Sequence, residues 1–190
     1  CSRREAREAA RAAHGPLPEG AYPGTCRDLT PAQREERAAA RPDRDPSLRV
    51  RAGDVSVTVV DRLHGEHTGV VDDFVVRRGD GVPAYNLAVV VDDAHQGIEE
   101  VVRGDDLLVG TPRQAWLCGR LGLPRPVWTH VPLVLGPDGE RLAKRHGSVT
   151  RTELAALGVD APALLGQLGG SLGLAASGER VDAATLLERF

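Results

Sequence analysis

The run Arg141-Leu142-Ala143-Lys144-Arg145-His146-Gly147 sets three cations and an imidazole within six positions and closes on a glycine. Such a loop suits a polyphosphate, whose oxygens accept several charge-assisted hydrogen bonds at once. A solvated basic turn is the plainer reading of the same residues. The cysteines are fewer than a disulfide framework needs: they stand at Cys1, Cys26 and Cys118. Cys1 and Cys26 flank a helix and a Pro- and Gly-rich loop containing Tyr22, but a closed zinc site usually shows four Cys or His ligands in recognisable pairs. Cys118, beside Trp116 and Leu117 in a helical pattern, reads as a buried, inert thiol.

These groups need elements to hold them. Residues 87–91 form a short apolar, β-branched run expected to be a strand buried on both faces of a parallel sheet. Asp92 and Asp93 would then lie at its carboxyl edge, where open α/β sheets hold ligands. A second strand is expected at 99–103, stopping at Arg103-Gly104-Asp105-Asp106, and a third at 128–135 before the turn Gly136-Pro137-Asp138-Gly139. Between them, Thr111-Pro112-Arg113-Gln114 has the marks of a helix start: a capping Thr, Pro at the first position and Gln three residues after the cap.

Upstream, residues 2–13 read as a solvated helix, and Thr30-Pro31-Ala32-Gln33 starts another that Arg41-Pro42 stops. Residues 47–78 change to period two. Ala52-Gly53-Asp54 is expected to join residues 48–51 and 55–60 as a hairpin, with Val70, Val71, Phe74, Val75 and Val76 supplying further strand. After Ser148 the pattern is helical, with Thr150 and Glu153 at capping-box spacing, a break expected at Gly169-Gly170 and a last short helix at 181–190.

Bulk properties narrow the classes. The 190 residues carry a net charge of −3 and 3% aromatics, so no broad basic field is available and any nucleic-acid contact should be local. No run of about 18 apolar residues and no secretory core is present, which makes a soluble cytoplasmic protein without membrane contact the expectation; a monomer is also expected. The chain begins at Cys1 and contains no Met, so further sequence is expected upstream.

Five segments in order, Tyr85 to Asp93, Val102 to Asp106, Thr111 to Gln114, Gly136 to Gly139 and Leu142 to Gly147, resemble the second half of the catalytic domain of class I glutamyl-tRNA synthetases. The short tail after Gly147 resembles the family's glutamyl-Q branch, which lacks the anticodon-binding domain and attaches glutamate to a queuosine base in tRNA(Asp). The resemblance implies an α/β fold: the C-terminal half of a Rossmann-type catalytic domain with a β-rich insertion and a helical C-terminal tail. Its expected divisions are a zinc-loop and helical segment at 1–46, the β-rich insertion at 47–82, the nucleotide-binding half at 83–148 and a helical segment at 149–190.

It also implies an ATP-dependent ligase whose partners are ATP, L-glutamate and tRNA, with Mg2+ accompanying the ATP. Lys144, assisted by Arg145, is the expected catalytic and ATP-binding cation. Tyr85 and Arg103 match the glutamate-binding positions; an internal pair of Arg103 with Asp105 or Asp106, and a plain core role for Tyr85, stay open. The family's loop serine is Ala143 here. In the glutamyl-Q branch a zinc motif of the form CxC…Y…C matches Cys1, Tyr22 and Cys26, with one cysteine ligand two positions before Cys1; His14 is a conceivable substitute. Arg62, His64 and His67 of the insertion could touch nucleic acid or could be ordinary surface residues. The ATP signature is expected upstream. Two alternatives remain: the catalytic domain of an ordinary glutamyl-tRNA synthetase, and a non-catalytic zinc- or tRNA-binding remnant.

Overall fold

The structure, a computed structural model, describes residues 21–42, 45–136, 138–142 and 150–190. The helix expected at 2–13 lies outside them. Helix α1 (Pro31–Ala39) starts as its sequence dictates: the Thr30 hydroxyl accepts from the Gln33 amide while the Gln33 side chain accepts from the Thr30 amide.

Strands β1 (Leu48–Arg49), β2 (Val55–Asp61), β3 (Gly65–Val71) and β4 (Val75–Arg77) follow. The expected hairpin between the first two does not form. Gly53 (φ 78°) and Asp54 (φ 54°) do turn the chain, but β1 is captured by β4. The Val50 amide donates to the Phe74 carbonyl at 3.1 Å and the Ala52 amide to the Asp73 carboxylate at 2.9 Å, so a buried acidic side chain decides the pairing. β2 instead pairs antiparallel with β3 in an unbroken ladder from Val55↔Val71 to Asp61↔Gly65.

Helix α2 (Tyr85–Gln96) replaces the strand expected at 87–91. Its twelve residues run from an extended Ala84 to a left-handed Gly97 (φ 70°), the ordinary place for a glycine that ends a helix. Val90 is buried in the core, and packing of α2 on the next helix and on β4 overrides the β-branched composition. Asp92 and Asp93 are therefore helical residues, not the end of a strand.

β5 (Glu100–Gly104) leads through a 3-10 turn (Asp105–Gly110) into α3 (Thr111–Leu121), and β6 (Val127–Val131) follows. Thr111 is not the cap. Gly110 occupies that position, and Thr111 is fully buried as the first helical residue. A four-stranded sheet has the order β3-β2-β6-β5, with β2 and β6 parallel at Asp61↔Trp128. Its core joins Val71, Phe74, Val90, Leu117 and Cys118, with Phe74 and Trp116 edge-to-face at 6.1 Å. Burial pushes the Cys118 thiol up, as expected of an inert side chain.

The chain divides into two compact units: residues up to 102 with 107–130, and residues 103–106 with 131–190. In the second, a turn closes as the sequence predicts: the Gly139 amide donates to the Gly136 carbonyl at 3.0 Å, and Leu135 bridges antiparallel to Arg141. Three helices follow: α4 (Arg151–Ala156), with the expected Thr150–Glu153 capping box; α5 (Ala161–Ser171); and α6 (Ala183–Arg189). The expected break at Gly169-Gly170 is absent, because α5 runs through both. The small residues on α5 serve close packing: a Cβ on Gly166 would stand 1.8 Å from the Glu179 carbonyl oxygen. Backbone cannot swing away as a side-chain tip can. Gly166→Ala therefore lowers stability by about 2 to 3 kcal/mol, to be checked by denaturant midpoint. A variant as stable as the parent would refute the close approach.

Among the described residues no helix is long and apolar enough to cross a membrane.

Candidate active site

Asp61, the last residue of β2, is heavily hydrogen-bonded and fully buried with His130 of β6. Its carboxylate accepts from the amides of Leu63 and His64, both at 3.0 Å, from the His130 amide at 3.1 Å and from His130 Nδ1 at 2.7 Å. His64 Nε2 meets the His130 carbonyl at 3.1 Å, and His130 Nε2 meets the Thr111 hydroxyl at 3.3 Å. The β2–β3 turn, β6 and the start of α3 are thus fastened at one point. Burial alone would push the Asp61 carboxyl up, but the hydrogen bonds from His130 and from the His64 and Leu63 amides outweigh it and hold it below its ordinary value. His64, considered above as a nucleic-acid contact, has its Nε2 directed to this joint, and Arg62 pairs with Glu100 at 2.8 Å.

A second buried pair, Asp72 and Asp73, anchors the segment of Tyr22 and Cys26. Asp72 accepts from the Tyr22 amide at 2.8 Å and from Arg113 Nε at 2.7 Å; Asp73 accepts from Arg27 Nε at 2.6 Å. Burial would raise Asp73, yet Arg27 and the Ala52 amide hold it low. Arg49 lies 3.8 Å over the Tyr22 ring. The Tyr22 hydroxyl accepts from the Cys26 amide at 2.6 Å, and Arg37 Nη1 reaches the Cys26 sulfur at 3.5 Å. Two of the three expected zinc donors, a phenol oxygen and a thiol, therefore sit together; Cys1 lies outside the described residues. Among the described residues no group of three His, Cys, Asp or Glu side chains gathers as a metal site. The donor chemistry present fits part of a zinc shell and does not complete one.

Tyr85 is the first residue of α2 and 54% exposed, not a core aromatic. Arg103 is half-buried near the end of β5. In its unit the turn after Arg103 meets Arg141, whose Nη1 donates to Asp106 Oδ2 at 2.6 Å. Lys144 and Arg145 lie outside the described residues. Arg113 figured in the reading of the sequence only as part of a helix start, and Asp61, His130, Asp72 and Asp73 escaped it. Their only signal is polarity beside apolar, β-branched runs, which does not say which partner each one finds.

The model of the family described as tRNA synthetases class I (E and Q), catalytic domain, matches residues 3–180. The chain belongs to this family. Glutamyl-Q tRNA(Asp) synthetase from Nocardia farcinica is 59% identical to this class I synthetase chain over 174 residues, 92% of the chain and 55% of the relative. The protein of the same name from Symbiobacterium thermophilum is 46% identical over 194 aligned positions, covering the whole chain and 59% of the relative. The synthetase chain thus spans somewhat more than half the length of these curated relatives. Among solved structures, glutamate-tRNA synthetase from Elizabethkingia anophelis shares its fold, with a TM-score of 0.55 and 24% identity over 76% of this chain and 30% of that one.

Proposed function

We propose that the protein carrying this chain activates glutamate with ATP and transfers it to a queuosine base of tRNA(Asp). The likeness to relatives named for that activity supports the reading. The observation within the molecule that supports it is the Asp106–Arg141 contact, which joins the turn following Arg103 to Arg141, three positions before Lys144 in the sequence.

In the first step an oxygen of glutamate's α-carboxylate attacks the α-phosphorus of ATP, and pyrophosphate leaves. In the second a hydroxyl on the tRNA attacks the acyl carbon, and AMP leaves. Arg103 orients the amino acid through paired hydrogen bonds to a carboxylate, and Tyr85 adds a hydroxyl contact. Lys144, with Arg145, stabilises charge that grows on the departing pyrophosphate. Magnesium accompanies the ATP phosphates and spreads their charge. With Ala143 in place of the family's serine, a backbone amide is the remaining donor at that position.

The test is glutamate-dependent exchange of pyrophosphate into ATP by the intact gene product without tRNA, followed by transfer assays on tRNA(Asp) with and without queuosine. Exchange without tRNA, and transfer only to queuosine-bearing tRNA(Asp), are expected. Charging of a tRNA 3′ end would favour the ordinary glutamyl-tRNA synthetase, and no exchange at all the non-catalytic remnant.

We assign Tyr22 and Cys26, with Cys1, to a structural zinc site. Cys26→Ala is expected to strip stoichiometric zinc from the purified protein, measured by elemental analysis. Full retention of zinc would exclude Cys26 as a ligand.

A further inference from the structure

We infer that Gln114 is a positioning residue for the amino-acid substrate: its side-chain amide, bonded to Asn86, sets the first turn of α2 and with it the direction of Tyr85. The inference deepens the function proposed above and rests on its assignment of Tyr85 to glutamate.

The start of α3 is fastened residue by residue. Thr111 is fully buried, with its hydroxyl 3.3 Å from His130 Nε2. A Cβ on Gly69 would stand 2.8 Å from Pro112 Cγ, so β3 runs directly against that ring, and Arg113 Nε donates to Asp72 at 2.7 Å. Gln114 comes next. It is 3% exposed and donates through Nε2 to Asn86 Oδ1 at 3.2 Å. It borders a hollow shared with Val90, Cys118 and Trp128, where an apolar side chain of the same length would fill the space as well. What the amide adds is a direction.

The start of α2 has less support of its own. Ala84, at the cap position, has no side-chain oxygen to offer the first amides. The amides of Leu87 and Ala88 share the Ala84 carbonyl, both at 3.0 Å, and the Ala84 amide donates to the Val76 carbonyl at 2.9 Å. The bond from Gln114 reaches this turn from the side and fixes its rotation. Successive helical residues point about 100° apart, so holding Asn86 also settles where Tyr85 points. All these residues belong to one compact unit. The anchorage of α3 is thereby passed to the residue assigned to the amino acid, where a small misplacement weakens recognition far more than it weakens the fold.

The experiment measures pyrophosphate exchange and thermal melting of the intact protein for Gln114→Met, Asn86→Leu, the two combined, and Tyr85→Phe alone and with Gln114→Met. Gln114→Met and Asn86→Leu are each expected to lower kcat/KM for glutamate about tenfold, chiefly through KM, with the KM for ATP and the melting temperature little changed. Combined, they should be no worse than either alone, because both remove the same bond. Gln114→Met should add little to Tyr85→Phe, because it acts through that side chain. A parental glutamate KM in Gln114→Met, or an undiminished tenfold effect in the Tyr85→Phe background, would overturn the inference. A parent without exchange activity would sink the proposed function instead, and hydrogen exchange would then decide the anchor alone. The amides of Leu87 and Ala88 are expected to exchange about fivefold faster in Gln114→Met, and unchanged protection would refute the anchor.

Discussion

Asp61→Ala lowers the folding stability of the chain by about 3 to 5 kcal/mol, as expected when several hydrogen-bond donors lose one shared buried acceptor. The loss has identifiable parts. The His130 amide and imidazole nitrogen lose their acceptor in a buried place, and the amides of Leu63 and His64 lose theirs in a part-buried one. Each such group costs about 1 to 3 kcal/mol when left unpaired, and local relaxation recovers some of it. Asp61→Asn should be milder, since its amide oxygen can still accept from backbone, while its NH2 group facing His130 Nδ1 forces the imidazole proton to the other nitrogen. Denaturant melts of the three proteins give the order. The pH dependence has a definite sign: the folded carboxyl titrates below its ordinary value of 3.8, so its contribution is complete above that value and is lost as pH falls through the lower, folded one. The stability gap between parent and Asp61→Asn therefore narrows in acid. A gap that widened in acid would contradict the assigned direction.

Lys144→Ala slows glutamate-dependent pyrophosphate exchange by about 2 to 4 kcal/mol in barrier, roughly thirty- to a thousandfold. The charge leaving with pyrophosphate is larger in the transition state than in bound ATP, so the effect falls on kcat more than on KM. Lys144→Arg keeps the charge with a different reach and should recover part of the rate. An alanine variant exchanging as fast as the parent would remove Lys144 from the chemistry and leave Arg145 as the cation to test.

Local chemistry was legible and distant pairing was not. The helix starts at Thr30 and Thr150 announce themselves because cap and partner lie three residues apart. The turn at Gly136 to Gly139 is similarly self-contained. Residues 87–91 misled because a run of β-branched residues speaks for a strand, while the twelve-residue span to Gly97 and the burial of Val90 against α3 speak for a helix only once α3 is in place. The turn at Gly53-Asp54 misled differently: it bends the chain, but Asp73, about twenty positions on, captures the strand before it. At the candidate site Tyr85 and Arg103 were singled out through the family pattern rather than through any local signal of their own. The Asp61–His130 joint was not, since neither residue marks its own neighbourhood as the place where the other will arrive.

That joint also sets an order of assembly. The β2–β3 ladder closes through a turn of three residues, an event of microseconds, whereas bringing His130 to Asp61 closes a loop of 69 residues, at an entropic penalty of about 4 kcal/mol. During synthesis the gap is one of time as well: at about 5 to 20 residues per second, Asp61 is made several seconds before the imidazole that will cover it. The nascent hairpin thus begins life with a hydrated carboxylate at its tip, and sealing it from water marks the moment β6 pairs with β2.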